Sequence, residues 1–554
     1  MPSPLYAVAA QLRRPQLSIE TLALAVSAFT TAALNGPFWT AALAGRPAWA
    51  ASSWRFAIGT FIMLTALQFV LVAAVATRRT VRPLLSALLL VGALAAHFMQ
   101  RYGIVIDPSM VRNALRTDAR EAAELLGPSL LAALVAGLLP AALVWGVRVR
   151  SRPGRRVLAV RAGAIVVAIT VGAVALLVVF QDFGSLMRNQ RALRYAITPA
   201  NVVYSLGRAL VGDAQAARAA RAAPDPAQRR LSGARRRPTL LVMVVGETVR
   251  SANFGLAGYA RNTTPELARR DVVTFGRTTA CGTSTEVSLP CMFSPFGRAD
   301  YDEAKIRSHD SLLHVLARAG LQVVWRDNQS GCKGVCDGLE TQDLSMLQVP
   351  GLCADGRCHD EILLHELDAL VRDHPGDLVV VMHQLGNHGP AYARRYPPRF
   401  ARFAPACDTP ELRDCGREAI VNAYDNAVAY TDHVLARVID FLEAQRARYD
   451  VAMVYVSDHG ESLGEHGLYL HGMPRAIAPR EQLEVPMLWW LPAESARDLG
   501  VNMMCLRQRA EQPASHDHLY HSVLGLLEID TPRYRSERDL FGDCRTGGPA
   551  GEVP

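Results

Sequence analysis

The sequence predicts an α-helical membrane domain of five transmembrane helices followed by an exported α/β domain. Three observations lead there. Half of the 554 residues are hydrophobic, and the excess is concentrated before residue 182. All ten cysteines lie after residue 280. From residue 239 onward, short apolar runs alternate with stretches of helical spacing.

The membrane domain rests on five long, nearly charge-free segments: Leu17 to Leu43, Ala57 to Ala76, Leu84 to Met99, Leu125 to Val147 and Val166 to Phe180. Each is near the ~20 residues that cross a hydrocarbon core, the third being the shortest. So many such runs in the first third of a chain are hard to bury in a soluble core. Arg13 and Arg14 precede the first segment; Arg78, Arg79 and Arg82 join the second to the third; Arg148, Arg150, Arg152, Arg155 and Arg156 join the fourth to the fifth. The alternate loop from Gly45 to Trp54 carries only Arg46, and the loop from Gln100 to Leu125 mixes both signs. The positive-inside rule therefore puts the amino terminus in the cytoplasm, and an odd number of spans exports the rest of the chain. The first segment is too long for a cleavable signal and is followed by further spans.

Cysteine usage agrees. Cys281 with Cys291, Cys332 with Cys336, Cys353 with Cys358 and Cys407 with Cys415 fall into close pairs, leaving Cys505 and Cys544 to each other. In an exported domain these read as disulfides rather than zinc knuckles. Before that domain, "AQAARAARAAPDPAQRRLSGARRRP" (214–238) reads as a juxtamembrane helix and linker, whose arginines either rest on anionic headgroups or are simply solvated. The expected limits are 1–182 for the membrane domain, 183–238 for the connection and 239–554 for the exported domain. No nucleic-acid partner is expected.

In the exported part, "LLVMVVG" (240–246), "LQVVWR" (321–326), "DLVVVMH" (377–383), "DVAMVYVSD" (450–458) and "VPMLWWL" (485–491) read as strands. Their continuous hydrophobicity suggests a parallel sheet covered on both faces, with helices in 308–319, 360–373 and 417–444. Chemistry in such sheets gathers beyond the carboxyl ends of strands. That rule selects Glu247 after the first strand, His383 and His388 at the third, Asp458 and His459 after the fourth, and His471 a dozen residues on. A lone acid at a strand end is ordinarily a helix cap. Carboxylates and imidazoles converging on one edge are ligands that zinc accepts. The hydroxyl-rich loop "TTACGTSTEVSLPCMFSP" (278–295) comes after another strand-like run, "DVVTFGR". A Cys281–Cys291 bridge would close a small ring around its hydroxyls and pre-position a nucleophile, which zinc could help to ionise. The residues alone do not choose among Thr283, Ser284 and Thr285.

The segments "GETVRSANFGLAGYARNTTPEL", "CGTSTEVSLPCMFS", "HQLGNHGPAY", "NAYDNAVAYTD" and "SDHGESLGEHGLYLHG" resemble the phosphoethanolamine transferases, inner-membrane enzymes that modify lipid A and include the mobile colistin-resistance enzymes. The likeness runs over nearly the whole chain. It implies an alkaline phosphatase and sulfatase type of fold for the exported domain, in the periplasm. It implies zinc held by Glu247, Thr285, Asp458 and His459, with Thr285 as the nucleophile that comes to carry phosphoethanolamine. His388 and His471 match residues that bind substrate phosphate or a second zinc, with His383 close by; one zinc is expected to bind tightly. Asn328 and Lys333, in "RDNQSGCKGVCD", match positions around the donor headgroup, and arginine supplies nearly every other cation of this chain. Asn113, Thr117 and Glu121 recur at four-residue steps, which would put them on one helix face, and match residues that hold the ethanolamine end. The implied reaction takes phosphoethanolamine from phosphatidylethanolamine to a lipid A phosphate, releases diacylglycerol and lowers affinity for polymyxin and other cationic peptides. The alternative acceptor is a lipopolysaccharide core sugar or another envelope glycan. No Cys-X-Pro-X-Arg motif supports a sulfatase, and the intact ligand set argues against a non-catalytic sensor. A monomer is expected.

Overall fold

The computed structural model describes residues 15–117, 119–150, 154–218, 222, 224–229, 237–354 and 356–546. Arg13, Arg14 and Arg152, which bear on the orientation, and most of the linker arginines lie outside them. The chain divides into two units: Met1–Val111 with Leu126–Ala209, and Arg112–Leu125 with Leu210–Pro554.

The first unit is helical. Its helices are α1 (Ile19–Ala33), α2 (Gly36–Ala42), α3 (Ala51–Val75), α4 (Val81–Tyr102), α5 (Pro108–Arg116), α7 (Pro128–Gly146), α8 (Gly154–Asn189) and α9 (Ala200–Arg218), of which α5 and α9 continue into the second unit; the short α6 (Ala119–Glu124) belongs to the second unit. Among the described residues four of them, α3, α4, α7 and α8, are long and apolar enough to cross a bilayer; α1 and α2 pass that test only together, bent by 59° at the break between them, and bring the number to five when the pair counts as one span. The first span, expected to be continuous, is therefore broken. Asn35 explains the break. It is fully buried, donates to the Thr30 and Thr198 carbonyls at 2.7 and 2.8 Å, and accepts the Thr198 N–H at 2.7 Å. Pro37 then sits in the first turn of α2, where its missing N–H costs nothing. A buried amide in apolar surroundings is tolerated because its partners satisfy it. Spans α3 and α8 approach closely: a Cβ on Gly59 would lie 2.5 Å from Val179 Cγ1.

The second unit is built on an eight-stranded sheet. In chain order its strands are β1 (Thr239–Gly246), β2 (Val272–Thr279), β3 (Gln322–Asp327), β4 (Glu340–Asp343), β5 (Leu378–His383), β6 (Asp450–Ser457), β7 (Glu484–Trp490) and β8 (Ala514–Ser515). The spatial order is β8-β2-β7-β6-β1-β5-β3-β4. Strands β6, β1, β5, β3 and β4 run parallel. The sheet is mixed rather than wholly parallel, because β7 runs antiparallel to both β6 and β2. Two reversals leave β2 parallel to β6, so the loop after β2 emerges at the same edge as those after β1, β3, β5 and β6. Residues of β1 alternate between two cores: Leu241, Met243 and Val245 face one, Leu240, Val242 and Val244 the other. Both faces being covered is why the strands read as continuous apolar runs. The long helix Arg417–Gln445 covers the second face through Ile420, Tyr424, Leu435 and Ile439. The edge strands β4 and β8 escaped the sequence reading because they are short, and β4 is polar.

All five expected disulfides are present: Cys281–Cys291, Cys332–Cys336, Cys353–Cys358, Cys407–Cys415 and Cys505–Cys544.

Candidate active site

The loops leaving the shared sheet edge converge on a buried cluster. Glu247 follows β1, Asp458 and His459 follow β6, and all three are fully buried. Thr285 opens the helix α10 (Thr285–Met292), just after the loop from β2. Its hydroxyl donates to Glu247 Oε2 at 3.0 Å and lies 3.5 Å from His459 Nε2. His459 Nε2 is in turn 3.3 Å from Glu247 Oε1 and 3.4 Å from Asp458 Oδ2. Neither of its neighbours in the loop reaches this cluster by a bond of its own: Thr283 donates instead to the Met473 carbonyl at 2.7 Å, and Ser284 is the residue before the helix. The turn after Glu247 is tight. Thr248 adopts φ +56°, and Gly386 sits so close that a Cβ there would lie 2.6 Å from the Glu247 carbonyl oxygen. Gly386 thereby lets the loop bearing His388 pack onto Glu247.

The electrostatics are those of groups sharing one dry site. Burial works against ionisation of Glu247, but the hydrogen bond and charge of His459 outweigh it and hold the carboxyl well below its usual range. Burial, then the Glu247 charge, push Asp458 up to about 6. Burial opposes the charge on His459, yet Asp458 and Glu247 raise it to about 10. Glu247 Oε1 and Asp458 Oδ2 are buried and share His459 Nε2, at 3.3 and 3.4 Å, as a polar partner. The ligand atoms of Glu247, Asp458 and His459 lie within 4.8 Å of one another. Two carboxylate oxygens that share one imidazole nitrogen, with a hydroxyl beside them, form a donor set that fits zinc.

A second trio, His459, Glu461 and His471, adjoins the first. His471 Nδ1 is 2.8 Å from Glu461 Oε2, and Tyr392 donates to Glu461 Oε1 at 2.6 Å. The His471 ring stands 4.4 Å from that of His459 and 5.4 Å from that of His388, between centroids. Burial lowers His388 to about 3, and its Nδ1 has no hydrogen-bond partner among the described residues. His383 is fully buried with Nδ1 2.7 Å from Asp327 Oδ1; burial opposes its charge, but Asp327 raises it.

The remaining predicted residues are placed differently. Glu121 reaches the cluster through Gln329, whose amide donates to Glu121 Oε1 at 3.2 Å and to Glu247 Oε2 at 3.1 Å. Asn113 and Thr117 are not carried there by a common helix face, because α5 ends at Arg116 and α6 begins at Ala119. The Thr117 hydroxyl donates to the Asn113 carbonyl at 2.8 Å. Asn328 donates to Asp360 Oδ1 at 2.8 Å and to the Cys358 carbonyl at 3.1 Å. Lys333, at φ +50°, donates to the carbonyl and hydroxyl of Ser330 at 3.0 and 2.7 Å. Sequence reasoning missed Gln329, Glu461, Asp360 and Glu286. Gln329 directly follows a predicted residue at a strand end, which was the available signal. Glu286 directly follows Thr285, is buried, and takes ion pairs from Arg116 and Arg307.

Comparison with known proteins gives a consistent result. Residues 64–214 match the family described as phosphoethanolamine transferase EptA/EptB, and residues 239–529 match the sulfatase family. The chain is 37% identical to phosphoethanolamine transferase EptA of Salmonella typhimurium over 549 residues, covering 96% of this chain and 98% of the relative. It is 34% identical to phosphatidylethanolamine transferase Mcr-1 of Escherichia coli, over 95% and 98%. The solved integral membrane protein lipooligosaccharide phosphoethanolamine transferase A (EptA) from Neisseria meningitidis superposes with a TM-score of 0.92 at 36% identity, covering 96% of this chain and 99% of that one.

Proposed function

The chain belongs to the phosphoethanolamine transferase family, and on that footing we propose that it moves phosphoethanolamine from phosphatidylethanolamine to a phosphate of lipid A. The observation that carries this reading is the Thr285 hydroxyl, hydrogen-bonded to Glu247 beside Asp458 and His459. In the first half-reaction the Thr285 oxygen attacks the donor phosphorus. A P–O bond to threonine forms, the P–O bond to glycerol breaks, and diacylglycerol leaves with a proton. In the second half-reaction a lipid A phosphate oxygen attacks the same phosphorus and frees Thr285.

Glu247 Oε2 accepts the Thr285 hydrogen bond and so directs its oxygen. Zinc, held by Glu247, Asp458 and His459 with Thr285, would acidify the hydroxyl and offset phosphoryl charge. A histidine beside the cluster, His388 or His383, suits protonation of the leaving oxygen and later deprotonation of the acceptor. His471 with His388 suits phosphate or a second zinc, and Asn328 and Lys333 the donor headgroup. Glu121, with Asn113 and Thr117 on the same segment, suits the ammonium of ethanolamine, a carboxylate facing a cation. Five disulfides support a periplasmic domain, with the amino terminus in the cytoplasm. A membrane anchor raises the effective concentration of two lipid substrates.

Two measurements test this. Incubating the protein with a phosphatidylethanolamine analogue and analysing the 278–295 peptide by mass spectrometry should reveal an adduct that Thr285→Ala abolishes. An adduct that survives in the alanine variant sinks the nucleophile assignment. Lipid A from expressing cells should gain phosphoethanolamine; a gain confined to core sugar would move the acceptor.

A further inference from the structure

The cluster draws on loops far apart in the chain, and one buried pair outside it ties those loops together. Ser457, the last residue of β6, is fully buried. Its hydroxyl accepts the Val249 N–H at 2.8 Å and donates to the His459 carbonyl at 3.0 Å, joining the turn after β1 to the turn after β6. Its carbonyl is 2.9 Å from Nε2 of His516, which is 1% exposed. His516 Nδ1 accepts the Cys281 N–H at 3.1 Å. Because that nitrogen accepts from a backbone amide, the ring proton sits on Nε2, and Nε2 donates to the Ser457 carbonyl. The imidazole therefore spans from the disulfide loop ahead of Thr285 to the residue ahead of Asp458. Its own backbone is fixed as well: the His516 N–H donates to the Thr279 carbonyl at 3.0 Å, just past the pairing of β8 with β2.

We propose that His516 is a positioning residue for the transfer: bonded to the Cys281 N–H and the Ser457 carbonyl, it sets the spacing between the loop that presents Thr285 and the turn that presents Asp458 and His459. The inference rests on the reading of Thr285 as nucleophile. A brace of this kind acts on the attacking geometry rather than on substrate affinity, and a misplacement of 1 Å costs on the order of 10²-fold in rate. Loss of the brace should therefore appear in kcat and spare KM.

The test uses the full-length protein in detergent with a fluorescent-acyl phosphatidylethanolamine as donor, following both diacylglycerol release and the adduct on the 278–295 peptide. His516→Asn keeps an acceptor near Nδ1 but cannot reach Ser457; His516→Gln keeps a donor near Nε2 but cannot serve Cys281. Each should lower kcat by about tenfold or more, with KM within about twofold of wild type, a loss larger than the accompanying fall in melting temperature accounts for. His516→Phe, which fills the space and makes neither bond, should fall further. Wild-type kcat in either single-arm variant would overturn the proposal. So would a change confined to KM, or a kcat that falls only as far as the melting temperature does. Absence of the adduct in the wild-type protein is a separate outcome, which removes the Thr285 reading and this inference with it.

Discussion

Glu247 and Asp458 bring the same functional group into one dry site, yet their acidities shift in opposite directions. The difference is one of neighbours: His459 hydrogen-bonds Glu247, while Asp458 feels the Glu247 charge through a desolvated interior. A similar contest decides the buried pair of Asp327 and His383. Burial disfavours both charges, but the pair's mutual attraction and the donors Trp325 Nε1 and Gly331 N–H lower Asp327 and raise His383. The raised His383 contributes stability that is present below its unfolded value near 6.5 and is lost as pH rises through its folded value. The lowered Asp327 contributes stability that is present above its unfolded value near 3.8 and is lost as pH falls through its folded value. The pair thus contributes most in the window between those two unfolded values. Asp327→Ala should destabilise the protein by about 3–5 kcal/mol inside that window and less outside it, as a charge left uncompensated in the interior does. Thermal unfolding of both proteins from pH 4 to 9 checks this; a pH-independent difference would refute it.

At the scale of elements, the Cys281–Cys291 bridge closes a ring of ten residues in sequence separation that contains Thr285. Chain-entropy arguments assign a loop of this size about 3 kcal/mol of stabilisation. Replacing both cysteines with alanine should lower stability by about that amount. It should also reduce kcat more than KM, as measured by denaturant titration alongside diacylglycerol release. The segment Arg112–Leu125 is the second element of interest, since it lies in sequence between two spans yet belongs to the catalytic unit. Glu124 anchors it by ion pairs to Arg357 and Arg395, and Arg395 is only 3% exposed. Glu124→Ala leaves the Arg395 cation buried without that partner and should cost about 3 kcal/mol or more. The same change should weaken the approach of Glu121 to Gln329, raising KM for the lipid donor in steady-state assays. An unchanged KM would mean that Glu121 is held independently of its anchor.

At the scale of the whole molecule, a metal bound by Glu247, Asp458 and His459 together with Thr285 would couple strands β1 and β6 and the helix α10 into one cooperative structure. A ligand that binds only the folded state stabilises it by RT ln(1 + [L]/Kd), about 4 kcal/mol at a thousandfold excess over Kd. Dialysis against a chelator should lower the melting temperature of the catalytic unit, and added zinc should restore it. Glu247→Ala should abolish the response to zinc; a zinc-dependent shift that survives in this variant would place the metal elsewhere.

Hydropathy and cysteine position were enough to divide the chain into an apolar helical part and a disulfide-bearing α/β part, because desolvation of apolar surface and the redox state of a compartment leave marks that are local in sequence. The strands that carry Glu247, Asp458 and His459 were legible for the same reason: a strand covered on both faces is apolar throughout. Three things were decided only in three dimensions. Asn35 breaks the first span because its partner, Thr198, lies far along the chain. The reversal of β7 depends on which strands flank it, and Gln329, Glu461 and His516 acquire roles through contacts with residues 82, 10 and 235 positions away. Composition and spacing report what a residue needs from solvent and from its near neighbours, whereas a hydrogen bond across the fold is fixed by where the backbone brings its two ends.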